Sequence, residues 1–343
     1  MTLVLFAFVG CSCGSPSAPE DQPGYYNDTW TFDGSVWSSR VTAIAPSRRA
    51  DAAMTYDARH SLVVLFGGYP AGDNENMLAD TWVWNGNDWL LLHPAASPPA
   101  RYGAAMVYDL AREVAILFGG WDGSSFLSDT WAWDGTVWTP LHPHHSPPAA
   151  QSQIAYDAAS ETAVLNNGPE TWTWDGFDWT QRQVDPAPTG GAFAGMSQAL
   201  GGRGVILFGG GDCNPYPANY TPGPGVHVGP LGTTWFWDGV KWAILRPRVT
   251  NSAGPSSPTP VCKPSVMYNA GHSEIVVFGG RRDWCRTSGE TWIWNGSEWI
   301  PPTLGQTGPD MRTGSSTAYD ASRNVDVLFG GYDGGGCQIA NLP

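Results

Sequence analysis

The chain has 343 residues, 42% of them hydrophobic and only 14% charged, with 43 Gly, 29 Pro and 19 Trp. Its 31 acidic residues outnumber 17 basic ones, and the net charge of −14 argues against nucleic acid and anionic lipid surfaces, which need clustered cations. No run reaches the ~18 apolar residues that a membrane-spanning helix requires.

The chain opens on a short apolar run, Leu3 to Val9, that ends in Gly10-Cys11. A short apolar segment closing on small residues is an export signal in form, to be excluded from the fold. It resembles a bacterial lipoprotein signal with Phe8-Val9-Gly10-Cys11 as lipobox. That resemblance implies cleavage before Cys11, lipidation of Cys11, and an exported chain held at the cell envelope or outside the cell. Residues 12–27 are rich in Ser, Pro and Gly and read as a flexible tether. The organisation is then a signal segment (1–11), a tether (12–27), a repeat domain (28–335) and a C-terminal tail (336–343).

Within the repeat domain one phrase returns six times, around Trp30, Trp82, Trp131, Trp172, Trp235 and Trp292, as Thr-Trp-x-(Trp/Phe)-(Asp/Asn)-Gly-x-x-Trp. Self-similarity at such a spacing marks a solenoid, propeller or array. In the copy at Thr130, Trp131 and Trp133 alternate with smaller residues and share one face of a strand. Asp134-Gly135 supplies the positive-φ residues of a hairpin, and Trp138 opens the returning strand. A two-residue loop would pair Trp131 with Trp138, a four-residue loop Trp133 with Trp138. Either register gathers the three indoles on one face.

Between these phrases lies a second hairpin. Ala104 to Asp109, a turn, and Val114 to Phe118 read as two strands, the second apolar on both faces and closed by Gly119-Gly120. Copies carry Tyr56 with Gly67-Gly68, Tyr156 with Asn167-Gly168, Tyr268 with Gly279-Gly280 and Tyr319 with Gly330-Gly331. The remaining copy keeps Gly209-Gly210 but has Gln198-Ala199 in place of Tyr-Asp. The apolar strand ending in Gly-Gly and the downstream aromatic followed by Trp resemble the Kelch repeat of Kelch proteins and the central domain of galactose oxidase. The resemblance implies four-stranded blades, strands a to d, around an axis. It brings no galactose oxidase chemistry, because no residues match the Cys-linked Tyr and paired His copper ligands.

Counting then fixes the ring. The chain starts on a c–d hairpin and ends on an a–b hairpin, so Thr29 to Arg40 must complete the blade begun by Ser315 to Gly331. The expected fold is an all-β, six-bladed propeller with blades at 52–92, 102–142, 151–183, 192–246, 264–302 and a composite sixth, which leaves no open sheet edge. Turns a–b and c–d should share one face. Connections b–c and d–a, including the long stretches 211–232 and 247–263, should share the other, and loops that long are commonly functional.

The candidate ligand-binding residues follow from this loop face. Trp121 and Trp284 lie outside the repeated phrase, and Tyr69 and Tyr332 follow Gly pairs, so an arc of aromatics could stack on sugar rings or anchor a protein. Packing at the base of each loop is the competing explanation. Arg49, Arg101 and Arg312 occupy equivalent places before strand a, and Asp28, Asp80, Asp129, Glu170 and Glu290 precede five of the six Thr-Trp pairs. Those arginines either pair with the carboxylates or converge as an anion-binding ring at the channel mouth. Cys213, Cys262, Cys285 and Cys337 map to the loop face, where export favours disulfides; adjacency favours Cys213–Cys262 and Cys285–Cys337. No His set has metal-ligand spacing, and no cofactor motif is present.

Three functions fit. The first is a monomeric, lipid-anchored binding or scaffold protein recognising a glycan or envelope protein on the loop face. The second is a sugar-modifying enzyme, like the mutarotases among six-bladed Kelch proteins, using an Arg-lined pocket. The third is a purely structural envelope protein.

Overall fold

In the computed structural model, residues 24–72, 76–188, 193–212, 229–246, 257–283, 286–301 and 307–334 are described. Six four-stranded antiparallel sheets form the blades of a propeller. Blade 1 contains strands a to d at Ala53–Asp57, Leu62–Pro70, Leu78–Trp84 and Trp89–Leu92. Blades 2 to 5 begin with strands a at Ala105–Asp109, Gln153–Asp157, Ala194–Gln198 and Ser265–Asn269. Blade 6 takes strands a and b from the C-terminal side (Ser316–Asp320, Val325–Phe329) and strands c and d from the N-terminal side (Thr29–Phe32, Trp37–Arg40). Thr29 pairs with Phe329 and Phe32 with Asp326, so the two ends of the chain close the ring as counted from the repeats.

The core lies between blades. Each pair of neighbours shares an apolar cluster; between blades 1 and 2, for example, Val64, Phe66 and Val83 meet Met106, Leu117, Trp133 and Trp138. Strand b is buried on both faces, with Val63, Val64 and Leu65 at 0% exposure. Trp133 pairs with Trp138, which selects the four-residue loop. In that loop only Gly135 is left-handed (φ +97°). The preceding Asp134 instead accepts the amides of Thr136 and Val137, an Asx turn, and the same two bonds recur at Asp33, Asn85, Asp175, Asp238 and Asn295. Gly135 has a second reason: a Cβ there would sit 2.2 Å from the His60 ring of blade 1.

Polar latches join the blades as well. The d-strand Trp donates its indole N–H to the Thr of the preceding blade's phrase: Trp89 to Thr29, Trp138 to Thr81, Trp179 to Thr130, Trp242 to Thr171 and Trp37 to Thr291. This is the physical reason for Thr before Trp. The d–a connections, expected on the loop face, reach the perimeter: the Ala43 amide bonds Asp88, and His145 bonds Asp178, each in the c–d turn of the next blade.

Candidate functional site

The recurrent arginines are buried, each about 1% exposed, and each clamps its own blade. Arg101 forms a bidentate pair with Asp129 at 2.6 and 2.8 Å and also donates to the Gly119 carbonyl. Arg49 does the same with Asp80 and Gly67, and Arg312 with Asp28 and Gly330. The same carboxylates accept the indole N–H of the phrase: Asp28 from Trp30, Asp80 from Trp82 and Asp129 from Trp131. Burial alone would raise the Asp80 and Asp129 carboxyls; the guanidinium beside each outweighs it, so both lie below the ordinary value. Where blade 5 has Val261 instead of Arg, Arg282 from the b–c loop reaches Glu290. These guanidiniums tie strands a, b and c together and do not converge on the axis.

The Gly pairs belong to the same assembly. A Cβ on Gly67 would lie 2.6 Å from the Arg101 carbonyl oxygen of the next blade, and that carbonyl accepts the Gly68 amide. Gly330 stands in the same relation to Arg49. Backbone therefore approaches backbone where no side chain fits.

Nearer the axis the blades differ. Five residues before each repeat Tyr (Gln198 in blade 4) stand Asp51, Gly103, Gln151, Phe193, Lys263 and Gly314. Asp51, Phe193 and Lys263 are non-glycine residues held in the left-handed region, at φ 53°, 60° and 47°. Such backbone persists only where the surroundings impose it, and it concentrates at functional sites. Here the surroundings are a belt of backbone bonds: Asp51 N–H to Gly314 O, Gly103 N–H to Asp51 O, and Lys263 N–H to Phe193 O. Lys263 Nζ reaches Asp51 Oδ2 at 2.7 Å and lies 5.3 Å from the centre of the Phe193 ring. The pair spans blade 6, whose Gly314 leaves room; a Cβ there would be 2.8 Å from Asp51 Oδ1.

Above this pair opens a bowl of about 320 Å³ on the loop face, walled by Tyr25, Tyr69, Tyr102, Tyr332 and Phe193. Tyr25 packs against Tyr332 at 4.9 Å and stacks on Tyr69 at 6.1 Å; Tyr69 meets Tyr102 edge-on at 5.5 Å. Asp51, Lys263 and Gly314 form its floor and also line the polar waist of the channel beneath, with Gln151, Ser152 and Gln153. Burial, the neighbouring Tyr69 and Tyr332 hydroxyls and Asp51 raise the Tyr25 phenol well above its ordinary value. Burial and Asp51 raise Tyr102 as well. Both therefore present neutral phenols.

Of the aromatics expected here, Tyr69 and Tyr332 share the bowl, while Trp121 is bonded through its backbone to Tyr102 and packs its ring on Phe126 at 4.9 Å. Trp284 lies outside the described residues, as do Cys11, Cys213, Cys285 and Cys337. Cys262 is buried beside the Arg281 backbone, which it bonds in both directions. Tyr25, Tyr102, Asp51, Phe193 and Lys263 were not singled out by sequence; the signal for Asp51, Phe193 and Lys263 is disagreement between repeats at one left-handed backbone position. No protein-family model and no curated protein sequence matches the chain.

Proposed function

We propose that the protein is a binding module that takes a terminal sugar of a glycan in the loop-face bowl. Flat phenol walls around a Lys–Asp pair carry this reading, because pyranose rings stack on aromatic faces while their hydroxyls bond charged groups below. Tyr25, Tyr69 and Tyr332 would form the stacking wall, and Lys263 and Asp51 would give and accept hydrogen bonds. A pocket floored by a salt bridge suits a small polar ring better than it suits the broad surface of a protein partner.

The sugar-modifying alternative depended on Arg49, Arg101 and Arg312 acting together at one pocket, and each is committed to a carboxylate within its blade. We also propose export, lipidation at Cys11 and a place in the cell envelope, supported by the Leu3–Cys11 segment, and a monomeric state. The test is a glycan array probed with the wild-type chain and a Tyr69→Ala/Tyr332→Ala variant. Selective capture by wild type alone supports the reading; equal capture by both, or none by wild type, removes it.

A further inference from the structure

The channel has a second end, on the face of the a–b turns, and its chemistry differs from the bowl. There a cavity of about 300 Å³ opens between the turns. Two residues before each repeat Tyr, or before Gln198, stand Met54, Met106, Ile154, Met196, Val266 and Thr317, one from each blade, and all six line the cavity. Met267 adds a further thioether, so four of the chain's seven methionines line this one space. No charged side chain is among its described lining residues.

The rim is a ring of tyrosines, and their hydroxyls are already engaged. Each accepts a backbone N–H from the a–b turn of the preceding blade: Tyr108 from Arg59, Tyr156 from Ala111, Tyr268 from Gly201, Tyr319 from Gly271 and Tyr56 from Ser322. These bonds hold the rings rigid and leave their carbon surfaces toward the cavity. The ring is broken once. In blade 4 the Tyr is replaced by Gln198, which lines the cavity and whose side-chain amide, beside Gly202 of the a–b turn, makes no hydrogen bond among the described residues.

We propose that this end of the channel is a second binding site, for a small uncharged molecule with an apolar body and one polar group. The thioethers supply adaptable apolar contact, since Met is unbranched and polarizable and fits ligands of variable shape. Gln198 supplies both a donor and an acceptor at a rim whose tyrosine hydroxyls already hold backbone N–H groups, which orients the polar group outward.

The probe is N-phenyl-1-naphthylamine, uncharged and fluorescent only in apolar surroundings, titrated into the full chain. Octan-1-ol, octanoate and octyltrimethylammonium then compete for it. The expected result is saturable binding of one probe per chain, displaced best by octan-1-ol. Met196→Phe, which fills the cavity, and Gln198→Lys, which places a charge at the rim without touching the core, should each weaken the probe by about tenfold or more. Thermal unfolding checks that the variants fold, and Gln198→Lys decides if Met196→Phe does not. Absence of saturable binding, equal binding by the folded variants, or stronger competition by either charged octyl compound would overturn the proposal.

Discussion

Asp326 gives the sharpest test of the packing between blades 5 and 6. It occupies a strand-b position where the other blades carry Val63, Ala115, Ala163, Val205 and Ile275, and like them it is 0% exposed. Its Oδ2 accepts a bond from Asn269 Nδ2 at 3.0 Å, while Oδ1 has no partner, and neither has the buried Oε2 of Glu274. Asn269 is itself telling, because four other blades have Asp in its place; a third carboxylate there would be intolerable. Burial, with a smaller contribution from Glu274, raises the Asp326 carboxyl from 3.8 to about 7. The folded chain therefore holds this proton more tightly than the unfolded chain. Its stabilising effect is complete below about pH 4, is lost as pH rises, and is gone above about pH 7. Across that window the loss is on the order of 4 kcal/mol, at about 1.4 kcal/mol per pH unit. Asp326→Asn keeps the neutral shape and removes the titration. In urea unfolding from pH 4 to 8, the variant should match wild type at pH 4 and exceed it progressively, by a few kcal/mol at pH 8. Parallel curves for the two proteins would refute the reasoning.

The Arg–Asp clamps predict an asymmetry. Asp129→Ala leaves the Arg101 guanidinium buried without its carboxylate and should cost about 3 kcal/mol, whereas Arg101→Met, leaving a half-exposed Asp129, should cost less by urea denaturation. Gly135→Ala must hold Ala at φ +97° and push a methyl into the His60 ring, so a loss of about 2 kcal/mol is expected. Gly72→Ala, at φ +110° with open space around its Cβ, carries only the backbone strain and should lose less. For the cysteines, peptide mapping of the unreduced chain should find Cys213–Cys262 and Cys285–Cys337; any other pairing, or free thiols throughout, contradicts the adjacency argument.

What was legible in the sequence is what repeats. The positions of Trp131, Trp133 and Trp138 recur in six copies with their spacing intact, Phe32 replacing the middle Trp once, and they set strand register, blade count and ring closure. Recurrence also drew attention to Arg49, Arg101 and Arg312, and for those it meant structure: a residue needed in several blades is needed by the blade. The bowl residues were hidden for the opposite reason. Asp51, Phe193 and Lys263 share one backbone position but no chemistry, so no pattern of residue types connects them. Tyr25 precedes the first repeat and acquires meaning only when ring closure brings it beside Tyr332. The aromatics Tyr69 and Tyr332 were visible because they follow Gly pairs, yet their common cavity depends on distances around the axis that spacing does not encode.

The loop-face site is tested most directly by calorimetric titration of a glycan selected on the array into wild type and Lys263→Met. Losing the charge that contacts Asp51 and the Phe193 ring should weaken binding by about tenfold or more in a variant whose thermal unfolding shows that it folds. Unaltered affinity in the variant would place the ligand elsewhere and contradict the account.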